Sequence, residues 1–253
     1  MYYQGLIREI EWEEGKTQRL LVGSYRQAVV IHCSSKGRTK GIFKNGEHGY
    51  FSYVEIVDKN GKWIEQGTTV VPVLPDGRIL MVIEERPPLG RYPHPTAVRR
   101  TNGEMIEDLG PCGSLEFPGG AIDPGESLTA GIIRELREET EAEEQTAALF
   151  RRVHPVYAMV SDLALRNYYA VVFLSGFSFS GYVKNDGGLR VVALTKEEIE
   201  HNIRLGVIAS SHICLTPWDF YKEVKRAQID MGFYNYLVSC GYLSEERVKI
   251  KKP

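Results

Sequence analysis

The sequence predicts an α/β fold preceded by a small β-rich region. Up to about residue 66 the apolar residues come in short β-branched and aromatic runs separated by turns. From Thr68 onward the runs become continuously apolar, the texture of strands buried on both faces. Two later segments carry the start and stop residues of helices. The chain has 253 residues, 43% hydrophobic and 25% charged. That is an ordinary folded composition, with length for one large domain and a smaller companion. The expected division is 1–66 as the β-rich domain, 67–205 as the main α/β domain and 206–253 as a helical C-terminal extension.

Taken in order, "RLLVGSY", "QAVVIHC" and "GYFSYVEIV" read as strands, and Asn60-Gly61 between "VEIVDK" and "KWIEQ" marks a hairpin. "TTVVPVL" and "RILMVIEE", joined by Pro75-Asp76-Gly77, form a second hairpin that enters the buried sheet. Arg86 to Ser114 reads as a long loop rich in Pro, Gly and Arg, a length that points to function or disorder. "LEFPGG" is a short strand leaving through a Pro-Gly-Gly turn, and a glutamate-rich helix starts near Glu126. "NYYAVVFLSG" and "LRVVAL" are further strands. "TKEEIEHNIRLG" has a Thr cap, early acids and a closing Gly.

Bulk properties narrow the function classes. A formal net charge of −2 argues against a dedicated nucleic-acid binder. Cys33, Cys112, Cys214 and Cys240 are dispersed, with no CxxC pair, so neither a zinc site nor a disulfide framework is expected. The N-terminus lacks the basic and apolar regions of a secretory signal, and no window approaches the roughly eighteen apolar residues of a membrane span. The expectation is a cytoplasmic protein without membrane or nucleic-acid partners.

The chemistry lies in "GAIDPGESLTAGIIRELREETEA", residues 120–142. Glu135, Glu138 and Glu139 fall at i, i+3 and i+4, on one helix face, with Glu141, Glu143 and Glu144 just beyond. Leu128, Ile132 and Leu136 form the adjoining apolar stripe, so the carboxylates sit at the margin of a buried face. Like charges there repel each other and oppose the helix dipole. An all-oxygen set of this density suits a hard divalent ion, magnesium or manganese. Gly119 and Gly120 let backbone approach, and a free carbonyl there offers another ligand. Arg134 has two candidate partners, an acid such as Glu126 or a phosphate.

A charge run alone is better explained as a solvated face. Here the order is Gly120, five residues, Glu126, seven residues, then Arg134-Glu135-Leu136-x-Glu138-Glu139, directly after "FPGG". This resembles the signature of the Nudix hydrolase family. The usual closing Gly is Glu141 here and the final aliphatic is Ala142, a departure at the helix C-cap. The resemblance implies an α/β/α sandwich with a mixed sheet, and hydrolysis of a nucleoside diphosphate linked to a further moiety. It implies metal ligands at Glu135, Glu139, Glu138 and the Gly119 carbonyl, with Gly120 and Glu126 supporting the loop and helix. Arg134 is placed among the catalytic set with the three glutamates.

Outside that signature the order of parts is similar to the ADP-ribose pyrophosphatase branch, over about residues 50–205. This implies ADP-ribose or a related nucleoside diphosphate sugar as substrate, a homodimer through the N-terminal strands, and substrate contacts at Arg86 and Glu116. Arg91, Arg99 and Arg100 either join a phosphate clamp or are ordinary loop residues. Two departures bear on the general base. The post-signature loop reads "HPVYAMVSDLALRN", with Pro155 early, and "KNDGG" places Gly187 or Gly188 where that branch carries a glutamate. Asp162, Asp186 or a helix glutamate remain as candidates; His154 and His201 read as structural. The rival reading is a catalytically weak ligand sensor on the same fold, which the intact glutamate set disfavours.

Overall fold

The computed structural model describes residues 10–12, 18–21, 27–35, 49–57, 63–64, 66–86, 89–90, 93–142, 145–159, 163–176, 183–184, 189–208 and 210–250. The chain divides into two compact units, 1–66 with 157–166, and 67–156 with 167–253.

In the first unit the expected strands β2 (Gln18–Leu21), β3 (Gln27–Ser35), β4 (Gly49–Val57) and β5 (Trp63–Ile64) form, preceded by β1 (Ile10–Trp12), which the sequence did not mark. β3 pairs antiparallel with β1, β2 and β4. β4 pairs with β5 at Val57–Trp63, as the Asn60-Gly61 hairpin requires, although that turn lies outside the described residues. This unit ends its first stretch at residue 66 and also takes in 157–166.

The second unit opens with β6 (Gln66–Val73) and β7 (Ile79–Glu85), joined through Pro75-Asp76-Gly77 with Gly77 at φ 85. A positive φ of that size needs glycine at little cost. The expected loop 86–114 is not structureless. It contains a hairpin of β8 (Ala97–Arg99) and β9 (Met105–Asp108), and it buries Val98 and Leu109 in the core. The apolar spacing there is too short for a periodicity signal, so the sequence concealed it.

β10 (Gly113–Glu116) and β11 (Gly119–Ala121) follow, then helix α1 (Leu128–Thr140). Next come β12 (Gln145–Arg152), β13 (Val156–Met159), β14 (Leu163–Leu174), β15 (Val183–Lys184) and β16 (Arg190–Leu194). Helix α2 (Lys196–Arg204) starts with the predicted cap: Thr195 accepts from the Glu198 N–H, and the Glu198 side chain accepts from the Thr195 N–H. A π-turn (Ser211–Leu215), α3 (Thr216–Ile229), α4 (Met231–Ser239) and β17 (Leu243–Ile250) complete the chain.

Within this unit the sheet runs β14-β6-β7-β16-β15, with β12 beside β14 and β17 beyond β12. β6 and β7 pair at Val73–Ile79 and then diverge; β10 pairs with β7 and β11 with β6. Ile79, Met81 and Ile83 face one core and Leu80 and Val82 the other, so this run is apolar throughout because both faces are covered. Ile132 and Leu136 of α1 cover one face, each gaining roughly 1.5–3 kcal/mol from burial. Ile199 of α2, Trp218, Phe220, Tyr221 and Val224 of α3, and Leu237 of α4 cover the other. The result is an α/β/α sandwich around a mixed sheet.

The C-terminal expectation needs correction. Residues 216–239 are helical, but Leu243–Ile250 is a strand paired along its length with β12, from Arg152–Leu243 to Gln145–Ile250. "LSEERVKI" is rich in helix-favouring charges, yet Leu243, Val248 and Ile250 are buried and β12 offers a backbone ladder. Tertiary pairing overrides local propensity. The segment is a part of the domain, not an appendage.

Candidate active site

The site is assembled around α1. Ser127 caps it, accepting from the Ala130 N–H at 3.2 Å. The helix ends at Glu141, whose φ of 56 is the sole positive value among the described non-glycine residues. The backbone thus adopts the left-handed cap that glycine normally provides, with glutamate in its place.

Arg134 organises the acids. It donates to Glu126 at 3.1 and 3.0 Å, to the Ala121 carbonyl at 2.8 Å, to Glu135 at 2.8 Å and to Glu138 at 3.0 Å. Glu126 in turn accepts from the Asp123 N–H. Burial opposes ionisation of Glu126, but these donors outweigh it and hold its carboxyl below the ordinary range. Loop and helix are therefore locked together through Glu126 and Arg134.

Glu139 differs from Glu138. The Glu138 side chain is 59% exposed and faces Arg134, whereas Glu139 accepts from the Gly119 N–H at 2.9 Å. Burial, with the nearby Glu135 and Glu84 carboxylates, pushes the Glu139 carboxyl up to about 8, against the opposing pull of Gly119 and Arg86. Glycine is required on the facing turn. A Cβ on Gly120 would lie 2.6 Å from the Glu135 carboxylate oxygens, and one on Gly119 would overlap the Thr68 carbonyl. In a strand, N–H and C=O of one residue point to the same side. The Gly119 carbonyl thus leaves β11 on the side where its N–H meets Glu139.

A second group lies on the same face. Glu116 pairs in register with Val82, whose side chain packs with Ile132 and Leu136 of α1. Glu116 is therefore on the α1 side, and Glu84, two residues after Val82, shares it. Arg86 donates to both Glu116 oxygens, at 3.1 and 2.7 Å, and forms an ion pair with Glu84 at 2.7 Å. Sequence reasoning named Arg86 and Glu116 but missed Glu84. Its signal was the strand alternation in "VIEERPP", which puts Glu84 in phase with Val82.

The remaining arginines are engaged elsewhere. Arg99 donates to the Gly103 carbonyl, and Arg100 pairs with Glu198 of α2 and with Glu104. Arg91, Glu143, Glu144, Asp162, Asp186, Gly187 and Gly188 lie outside the described residues.

Among the described residues no three His, Cys, Asp or Glu side chains converge into a finished metal cage, and Arg134 stands between Glu135 and Glu138. The donor set nonetheless fits a hard cation. It is all oxygen, and a half-buried Glu139 made reluctant to ionise by desolvation and by neighbouring carboxylates is the electrostatic condition that a cation relieves.

The fold and site define a class: an α/β/α scaffold presenting a carboxylate helix against a double-glycine turn. A family model of the NUDIX domain matches residues 65–202. The chain belongs to the Nudix family. A crystal structure of an ADP compounds hydrolase is similar at 14% identity with a TM-score of 0.54, covering 87% of this chain and 96% of that one. That similarity is one of fold. No curated protein matches the chain in sequence. Among the described residues no helix is long and apolar enough to cross a membrane.

Proposed function

We propose that this chain hydrolyses the diphosphate linkage of ADP-ribose or a related nucleoside diphosphate sugar, with magnesium or manganese as cofactor. The observation that carries the reading is Glu139, shielded beside Glu135 and Glu84 and bonded to the Gly119 N–H. Glu135, Glu139, Glu138 and the Gly119 carbonyl would hold the ion. When bound, it supplies neutralising charge for a diphosphate and acidifies an attacking water. Arg134 and Glu126 fix the loop and helix so that Glu135 and Glu139 keep their places. Arg86 and Glu116 line the substrate beside them. The similarity to an ADP compounds hydrolase supports an adenine nucleotide substrate. The N-terminal strands are assigned to a homodimer, and the protein to the cytoplasm.

The second reading, a ligand sensor, draws on the ion pairs that tie Glu135 and Glu138 to Arg134. The discriminating experiment measures phosphate ester release from ADP-ribose, other nucleoside diphosphate sugars, dinucleoside polyphosphates, NADH and coenzyme A, with and without magnesium. Metal-dependent release from ADP-ribose or another diphosphate sugar, lost in Glu139→Gln, supports the hydrolase. Binding without release favours the sensor.

A further inference from the structure

Strand β17 ends the sheet of the second unit, pairing with β12 along one side and, among the described residues, with nothing along the other. Eight residues is long for an edge strand, and this one has no proline or glycine to blunt it. A groove of about 790 Å³ runs between β17 and α1. Four consecutive strand residues, Glu246 to Lys249, line it opposite Ile133 and Arg137. Side chains in a strand alternate between faces, so four in a row line one groove only where it follows the backbone edge.

The two faces of β17 differ. Val248 and Ile250 enter the core under α1, and Glu246 accepts from the Thr129 hydroxyl of α1 at 3.1 Å. Leu243 enters the core on the other face, where Glu245 accepts from the Tyr234 hydroxyl of α4 at 3.0 Å. Glu245, Arg247 and Lys249 share that second face, and all three are exposed. Among the described residues, Arg247 and Lys249 form no ion pair.

The charge order along the strand is its own complement. A two-fold axis relating two antiparallel edges stands perpendicular to the joined sheet and keeps like faces on one side. Odd-numbered residues of β17 then meet odd-numbered residues of a second copy. With the axis at Arg247, Glu245 lies opposite Lys249 of the second copy, twice over, and Glu246 lies opposite Val248. An axis at Glu245 or Glu246 sets carboxylates against each other, and one at Val248 sets Arg247 against Lys249, all of them unfavourable. In the register centred on Arg247 only that exposed arginine meets its like, with a glutamate of the second copy on its diagonal.

We propose that the open edge of β17 pairs antiparallel with β17 of a second copy of this chain, centred on Arg247, and so joins two sheets into one. The backbone ladder supplies the affinity, and the two Glu245–Lys249 pairs fix the register. The interface uses no residue of the N-terminal strands and none of the carboxylates assigned to the metal. It does not depend on the hydrolase reading.

The test is register-specific cross-linking of the full chain, in a Cys240→Ser background because Cys240 is exposed. Directly opposite residues of antiparallel strands have Cα atoms about 4.5–5.5 Å apart, within disulfide reach. Oxidised with diamide, Arg247→Cys is expected to form a disulfide-linked dimer at least about ten-fold faster than Gln228→Cys, an exposed position on α3 away from the edge. Sedimentation then reads the association itself. Glu245→Lys should weaken it about ten-fold by facing lysine with lysine, and Glu245→Lys combined with Lys249→Glu should restore it. A merely structural effect of Glu245→Lys would lower Tm and persist in the double variant. Cross-linking of Arg247→Cys no faster than that of Gln228→Cys, cross-linking through Glu246→Cys in its place, or a charge swap that fails to restore association each overturns the proposal.

Discussion

Replacing Glu139 by glutamine is expected to make the metal-free protein more stable while removing its activity. The amide oxygen of glutamine can still accept the Gly119 N–H, so the 2.9 Å contact survives. What disappears is a charge shielded from water and set beside Glu135 and Glu84. The rise of its carboxyl from 4.5 to about 8 corresponds, at about 1.4 kcal/mol per pH unit, to roughly 5 kcal/mol as an upper bound. Solvent reaches part of the side chain, so roughly half of that is expected.

The sign follows from where the proton goes. A carboxyl raised on folding binds more protons folded than unfolded between 4.5 and about 8. Wild-type stability therefore falls as pH rises through that window and levels off above it. Thermal unfolding in a chelator, scanned from pH 4 to 9, is the assay. Near pH 4 the two proteins should unfold together. By pH 9 the variant should lead by roughly 2–3 kcal/mol, or about 5–10 °C in Tm. Magnesium should close the gap by stabilising wild type alone, and hydrolysis by the variant should fall more than about 100-fold. A Tm difference independent of pH would refute the electrostatic account of the site.

Three further predictions follow from neighbouring contacts. Glu141→Gly should raise stability by about 1 kcal/mol by relieving the left-handed cap, read as a higher urea midpoint with unchanged slope. Gly120→Ala places a methyl 2.6 Å from the Glu135 oxygens; we expect kcat to drop at least about ten-fold and Tm to stay within a few degrees, measured on the same preparation. Arg134→Met strips three acids of their shared cation and should cost about 3 kcal/mol in metal-free buffer, partly restored by magnesium in the same melt.

The local grammar of the chain settled a good deal by itself. Gly77 turns the β6–β7 hairpin, Thr195 and Glu198 cap α2, and the unbroken "ILMVI" marks a strand covered on both faces. Each depends on neighbours a few residues apart, so spacing is enough to reveal it. The α1 signature is legible for the same reason: Glu135, Glu138 and Glu139 share a face because a helix repeats every 3.6 residues.

What the tertiary structure decided are the long-range pairings. Arg99 and Arg100 resemble Arg86 in the sequence, yet only Arg86 meets Glu116; Arg100 meets Glu198. "LSEERVKI" becomes a strand because it pairs with β12 from Arg152–Leu243 to Gln145–Ile250, a long-range partner no local pattern encodes. Glu84 reaches the site through strand phase. The physical reason is common to all of them. Helix and turn signals are written in contacts between near neighbours, whereas an ion pair across strands is fixed only once the sheet has chosen its register.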